Sequence, residues 1–374
     1  CLVGSEMCIR DSVDLETGYA IKKFMSNYGK DNVECRTDNH AILESLDSYR
    51  FNTPLNDIEN SDLIILLGTN PKIETPIINH KIFKAYNNDA KVFNIGENIS
   101  LNYKTEYLGE NLSSLNNENL IKALKKSTNP LIIIGSAFLN KIKNIKTLKS
   151  IFSYADKYKV ITKEKNNLNF LNPYASRVGQ LIIGNTTNNL CEPFSNLKKD
   201  NFELVLSFGS EHIANEQFNN CFKVYFGHHG DDGAMGSDIV LPTPLYTEKN
   251  GTFVNIEGRP QEAKKCHNPI GSAKEEWSIL KKLSDELSFD FTPNTFDQLR
   301  SELFDKYPIL SDYHEIIAVE NSTSITPDIE FEDCKAEYPV SNFYMSDVIS
   351  KNSVTMAKCV EEIISTPSLL EKSA

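Results

Sequence analysis

Histidines and carboxylates stand side by side in YFGHHGDDGA, Tyr225–Ala234, where His228 and His229 precede Asp231 and Asp232. Imidazole next to carboxylate is the composition of a metal site or an acid–base pair. Adjacent side chains of an extended segment point to opposite faces, so the two rings would not easily reach one ion, and the carboxylates would raise the histidine pKa values. The plainer expectation is a loop packed at a lobe or subunit contact, with no catalytic and no metal-ligating residue. A second set, Glu257-Gly258-Arg259, offers a guanidinium whose fork suits a phosphate. Without such a ligand, an internal carboxylate pairing would fix that turn. A third, Gly68-Thr69-Asn70-Pro71, would turn the chain at a strand's carboxyl end, the edge where α/β sheets bind ligands. Gly, Asn and Pro are equally the residues of a turn that binds nothing.

The cysteines exclude other chemistry. Of eight, Cys1 and Cys8 fall within the first twelve residues, and Cys35, Cys191, Cys221, Cys266, Cys334 and Cys359 all lie more than four residues apart. Iron–sulfur and zinc centres need closer pairs, and scattered thiols fit a reducing compartment. A formal net charge of −12 disfavours nucleic acid as a partner. The longest apolar runs, such as Leu63–Leu67 and Leu131–Ile134, fall far short of the roughly 20 residues of a membrane helix.

These groups must be positioned by an α/β framework. Short apolar runs, mostly ended by glycine, predict strands at Asp62–Gly68, Lys91–Gly96, Pro130–Gly135, Lys159–Thr162, Glu203–Gly209, Lys223–Gly227 and Asp238–Leu241. Helical patterning falls between them at Leu15–Tyr28, Pro76–Tyr86, Glu118–Lys126, Asn144–Tyr158 and Glu275–Leu287, the first with Asp14 as its N-cap. Trp277 and Cys359 read as packing residues on such helices. The opening CLVGSEMCIRDS, Cys1–Ser12, matches a translated sequencing adapter and lacks the apolar core of a signal peptide. With residues 1–12 set aside, the strand that should precede the helix at Leu15 is expected to be missing. KKSTNP suggests a boundary near Thr128, giving a first lobe at 13–128, a second at 129–290 and an irregular or helical tail at 291–374.

Ser237–Gln261, SDIVLPTPLYTEKNGTFVNIEGRPQ, combines a strand ending at Pro242, the charged neighbours Glu248 and Lys249, and Asn250-Gly251, a strong hairpin signal. This segment resembles the molybdopterin oxidoreductase superfamily, and Glu59–His80 is similar to that superfamily's strand and following loop. The tail Asn342–Val360, NFYMSDVISKNSVTMAKCV, together with Tyr225–Ala234, looks like the family of large iron–sulfur subunits of respiratory NADH:quinone oxidoreductase, complex I. The resemblance runs from Val13 to Val360. It implies two Rossmann-like lobes of the formate dehydrogenase-like fold with an irregular carboxyl-terminal tail. It also implies a region that has lost the ancestral molybdenum cofactor, so that Gly68, Asn70, Gly227, His228, Glu257 and Arg259 would be vestiges of a pterin loop.

On the same resemblance, 2Fe-2S and 4Fe-4S clusters belong to an amino-terminal part that this sequence does not contain, and they relay electrons from NADH and flavin toward quinone. The implied partners are the flavin-bearing NADH-binding subunit and other peripheral-arm subunits, without membrane insertion. The implied location is peripheral to the inner membrane, on the cytoplasmic face in bacteria or the matrix side in mitochondria. Two rivals stand beside this reading. One is a catalytic molybdopterin-dependent oxidoreductase such as formate dehydrogenase, whose further β-barrel domain has no room after Asn255. The other is a non-catalytic module outside respiration, since fold alone does not settle function.

Overall fold

Runs of consecutive apolar residues become strands here because both of their faces are covered: every residue of Leu63–Leu67 and of Pro130–Ile134 is buried. The computed structural model describes residues 5–9, 13–29, 32–187, 190–191, 202–210, 220–313, 315–317, 329–338, 345 and 348–364. Its strands are β1 (Ser5–Ile9), β2 (Val33–Glu34), β3 (Leu63–Leu67), β4 (Lys91–Ile95), β5 (Glu106–Gly109), β6 (Pro130–Ile134), β7 (Leu168–Phe170), β8 (Leu204–Phe208), β9 (Phe222–Gly227), β10 (Ile239–Pro242), β11 (Gly251–Val254) and β12 (Pro260–Ala263). Two five-stranded sheets result, ordered β10-β9-β8-β1-β2 and β5-β4-β3-β6-β7, and all their pairings are parallel. β11 and β12 form a separate antiparallel hairpin.

The helices are α1 (Leu15–Asn27), α2 (Pro71–Glu74), α3 (Pro76–Asn87), α4 (Glu118–Leu124), α5 (Ser136–Leu139), α6 (Ile145–Lys157), α7 (Arg177–Ile182), α8 (Asp232–Met235), α9 (Glu276–Glu286), α10 (Phe296–Lys306), α11 (Val348–Lys351) and α12 (Val354–Cys359). Apolar clusters lie on both faces of the second sheet, one including Ile65, Ile132 and Phe152, the other Ile64, Ile133 and Ile82. α1, α9 and α10 supply Ile21, Leu280 and Leu299 to the main core of the first sheet. Both sheets reverse strand order near their middle, between β8 and β1 and between β3 and β6. Among the described residues no helix is long and apolar enough to cross a membrane.

Four expectations about organisation are corrected. The division at Thr128 cuts through one sheet, because β3 pairs with β6. The KKSTNP turn is tied to that sheet's start: Asp62 accepts from Thr128 N (2.7 Å), Thr128 Oγ1 (2.8 Å) and Asn129 N (3.1 Å). The chain leaves the first sheet after β2, builds the entire second sheet, and returns through α7 and β8, so one lobe is inserted in the other. Residues 291–374 are not all tail, since Leu299 and Leu303 of α10 are buried in the core that α1 shares. The strand slot before α1 is filled by Ser5–Ile9, set between β8 and β2; ladder bonds there use only backbone groups, which any extended segment supplies. Lys159–Thr162 is not a sheet strand: Lys159 has φ +60° and Ile161 makes an isolated bridge to Asn166, leaving β7 to pair with β6.

The Glu248–Phe253 stretch also folds differently from its local signals. Gly251 opens β11 instead of forming a two-residue turn; the hairpin reverses at Asn255–Arg259, where Gly258 has φ +85°. Lys249 does not pair with its neighbour Glu248. Its Nζ lies 2.8 Å from Asp14 Oδ2 and 2.9 Å from each oxygen of Glu276, in a site where all three side chains are buried. Burial alone would lower the Lys249 pKa, yet the two carboxylates hold it above the usual amine range. Asp14 meanwhile caps α1 by accepting from Thr17 N at 2.8 Å. A Cβ on Gly251 would come within 2.6 Å of the Asp14 Cβ, so only glycine permits this approach.

Glu16, in the first turn of α1, accepts from Thr252 N and Oγ1, both at 2.8 Å, and pairs with Arg300 of α10 at 2.7 Å. Replacing Lys249 leaves two carboxylates buried without a cation, a class of change costing about 3–5 kcal/mol. Lys249→Met is therefore expected to lower the unfolding free energy by that amount, seen as a lower urea midpoint with an unchanged slope. A loss below about 1 kcal/mol would show that the triad is not an essential weld.

Candidate functional site

The six sequence-selected residues fall into three separate places. Gly68 and Asn70 follow β3 in the second sheet, Gly227 and His228 lie at the end of β9 in the first, and Glu257 and Arg259 lie in the β11–β12 turn.

At the carboxyl edge of the second sheet the strand-ending glycines close on one another. Gly68 has φ +61°, and a Cβ built on Gly96 would come within 3.2 Å of the Gly68 Cα. A Cβ on Gly135 would strike the Gly68 carbonyl, and one on Gly68 the Phe138 ring. The Asn70 N–H is engaged by Glu74 Oε1 at 2.9 Å, and Thr69 Oγ1 lies 3.4 Å from Glu74 Oε2. Burial pushes the Glu74 carboxyl up to about 7.

Residues 334–337 lie across this edge. Leu112 N donates to Cys334 O (3.0 Å), Ala336 N to Glu110 O (3.2 Å) and Glu337 N to Ala137 O (3.1 Å). Ala336 is buried, 3.4 Å from where a Gly96 Cβ would stand. Charge pairs pin the segment, Lys335 to Glu110 at 2.5 Å and Glu337 to Lys141. Upstream, Glu332 accepts from Lys143 N at 3.0 Å, and Glu330 N donates to Ser150 Oγ at 3.1 Å. Nothing in the local sequence announced this cover, since its partners lie about 180 to 240 residues earlier.

At the first sheet's edge the histidines meet instead of diverging. The His228 and His229 rings are 5.0 Å apart at 82°, because residues 228 and 229 sit in a bend and not in extended backbone. The pKa direction is also opposite to the expectation: burial first, then His229 and Lys249, bring His228 down to about 4. Asp231 is taken up structurally, accepting from Tyr225 Oη at 2.6 Å and capping α8 through Ala234 N at 2.9 Å. Among the described residues no group of three or more His, Cys, Asp or Glu is arranged to hold a metal ion.

The Glu257–Arg259 turn is held by the Asn255 carboxamide, which accepts from Glu257 N (3.0 Å) and Arg259 N (2.9 Å). Glu257 reaches across to the lobe built on the second sheet, its Oε1 accepting from Leu55 N at 2.9 Å. An amide clasp thus shapes the turn, and the Glu257 carboxylate serves as an interlobe tie.

Residues 3–286 match the family described as molybdopterin oxidoreductase, and residues 318–359 match the carboxyl-terminal family of the NADH-ubiquinone oxidoreductase G subunit. The chain is 34% identical over 355 residues to the NADH-quinone oxidoreductase G subunit of Rickettsia bellii, covering 93% of this chain and 51% of that protein. It is 36% identical over 335 residues to the NADH-ubiquinone oxidoreductase 75 kDa subunit of Reclinomonas americana, covering 85% and 48%. A mitochondrial 78 kDa subunit of NADH-ubiquinone oxidoreductase from Candida albicans is 31% identical over 369 residues, covering 93% and 50%. The chain therefore spans about half the length of these curated relatives. A formyltransferase/hydrolase complex of Methylorubrum extorquens shares the fold, with TM-score 0.54 at 11% identity over 81% of this chain and 92% of that one.

Glu74 sets a pH test for the covered edge. Its folded pKa is raised from 4.5 to about 7, so the folded state holds the proton to higher pH than the unfolded chain does. Stability associated with Glu74 is then lost as pH rises from about 4.5 through 7. Relative to the unaltered chain, Glu74→Gln should gain on the order of 2 kcal/mol between pH 5 and pH 8. Denaturant titrations at both values measure it, and an equal effect at both would place Glu74 in a solvated setting.

Proposed function

We propose, on the premise that the chain belongs to the molybdopterin oxidoreductase family, that it is the scaffold region of a complex I large iron–sulfur subunit and holds no pterin cofactor of its own. In this reading the parent subunit relays electrons from NADH and flavin toward quinone through iron–sulfur clusters carried by the part of such subunits that this chain does not span. The partners are then the flavin-bearing NADH-binding subunit and other peripheral-arm subunits. The location is peripheral to the inner membrane, on the cytoplasmic face in bacteria or the matrix side in mitochondria.

The observation that carries this reading is the cover over the second sheet. α/β sheets take ligands at the carboxyl edge, at the point where strand order reverses, and here residues 334–337 bond across that edge. Those residues fall inside the segment matched to the carboxyl-terminal family of the NADH-ubiquinone oxidoreductase relatives. The groups at the edge do not fit a phosphate-bearing pterin. The Asn70 N–H is held by the chain's own Glu74, and the glycines that could cradle an anion pack against each other. At the other edge Asp231 is committed to Tyr225 and α8, and His228 is held neutral near pH 7 by burial.

Expression of the chain in a host that makes molybdopterin, followed by elemental analysis and pterin fluorescence after denaturation, tests the cofactor part. Folded protein free of molybdenum and pterin is the expected result; about one of each per chain would favour the formate dehydrogenase-like rival. Co-expression with the flavin-bearing NADH-binding subunit of a relative tests the assembly part, with co-purification expected of the full-length subunit and no association arguing against that pairing.

A further inference from the structure

Where the chain passes between the two sheets, a group of polar side chains is shut away from solvent. Residues 35–41 leave β2 and reach the lobe built on the second sheet through Ala41 N, which donates to Leu139 O at 2.9 Å, and Arg177 opens α7 where the chain returns. Arg177 Nη2 lies 2.9 Å from Asp38 Oδ1, and the His40 backbone N is 3.4 Å from the same oxygen. Alongside, Arg36 grips Glu34 with Nε to Oε1 at 2.9 Å and Nη2 to Oε2 at 2.8 Å, while Thr187 N and Oγ1 donate to Glu34 Oε2 at 3.1 and 2.9 Å. His40 is wholly buried and Arg177 is 1% exposed.

The Glu34–Arg36 half of this group is saturated, and the other half is not. Thr37 Oγ1, Asp38 Oδ2, His40 Nδ1, His40 Nε2 and Arg177 Nη1 are buried and have no hydrogen-bond partner among the described groups. Native folds leave roughly a few such atoms per hundred residues, whereas these five sit on four side chains, three of which feel one another's charge. The composition selects the occupant. Asp38 and Arg177 neutralise each other, and burial lowers the His40 pKa to about 3, so the imidazole is neutral. What is left unmet is a mixture: N–H from Arg177, one imidazole N–H and the Thr37 hydroxyl as donors, Asp38 Oδ2 and the second imidazole nitrogen as acceptors. An anion would face the Asp38 carboxylate, and a cation would face the Arg177 guanidinium.

We infer that Thr37, Asp38, His40 and Arg177 form a buried hydration site, in which ordered water bridges the segment leaving β2 to the start of α7. Water is neutral and both donates and accepts, and an internal molecule commonly makes about three hydrogen bonds. The bridge joins two segments 139 residues apart in sequence, at the place where one lobe is inserted into the other.

A crystal structure of the full chain, at a resolution that orders solvent, is the direct test. Density within about 2.6–3.2 Å of at least two of the five atoms, unchanged after a bromide soak, is expected. A dry site, or an anomalous bromide peak in it, would overturn the inference. Thermal denaturation gives an independent sign. If water bridges these groups, His40→Leu should lower Tm by roughly 2–4 °C or more, and His40→Gln, which keeps a donor and an acceptor, should lower it less. If the site is dry, His40→Leu removes two unmet atoms and Tm should rise.

Discussion

The Lys249 ammonium lies between Asp14 and Glu276, and three elements distant in sequence meet at that one charge: the cap of α1, the approach to β11 and the first turn of α9. Desolvating a cation and two carboxylates is unfavourable unless each oxygen and proton finds a partner. The geometry supplies this, because Asp14 also accepts from Thr17 and the Glu276 carboxylate is bound by Lys249 through both oxygens. Glu16, Thr252, Arg300 and Glu262 extend the same contact toward α10 and the hairpin. The Glu248–Thr252 stretch of the segment that resembles the superfamily thereby fastens the hairpin to α1.

A second constraint follows from the insertion of one lobe in the other. Two chain crossings must be held in register, and polar groups do it. Glu257 reaches Leu55 N, Arg50 reaches Ile317 O at 2.5 Å, and Arg36, paired with Glu34, also donates to Leu190 O. Directional bonds suit this task better than apolar contact, which is indifferent to small sliding. The covered edge of the second sheet belongs to the same logic. Residues 334–337 use backbone groups of Glu110, Leu112 and Ala137, at the ends of neighbouring elements, so the segment works as a clasp over the place where parallel sheets most readily take ligands.

The sequence by itself determined five of the helices and six of the strands. The helices at Leu15, Pro76, Glu118, Ile145 and Glu276 and the strands β3, β4, β6, β8, β9 and β10 all fall within a residue or two of the patterned segments: capping writes Asp14 and Asn144, and burial on both faces writes the continuous apolar runs of β3 and β6, while β10 keeps such a run although Ile239 and Val240 are exposed. The family was legible in long motifs whose residue order is dictated by contacts such as Lys249 with Asp14.

Only the tertiary structure decided which strands share a sheet, that Ser5–Ile9 occupies the slot before α1, that His228 and His229 face each other, and that Ala336 covers Gly96. Most of these outcomes rest on partners far apart along the chain. A local pattern records whether a residue is to be buried, but the identity of what buries it is set by closure of the whole fold. For the same reason His40, Asp38 and Arg177 carried no local signal: each is an ordinary polar residue until the insertion of one lobe brings α7 against the loop after β2.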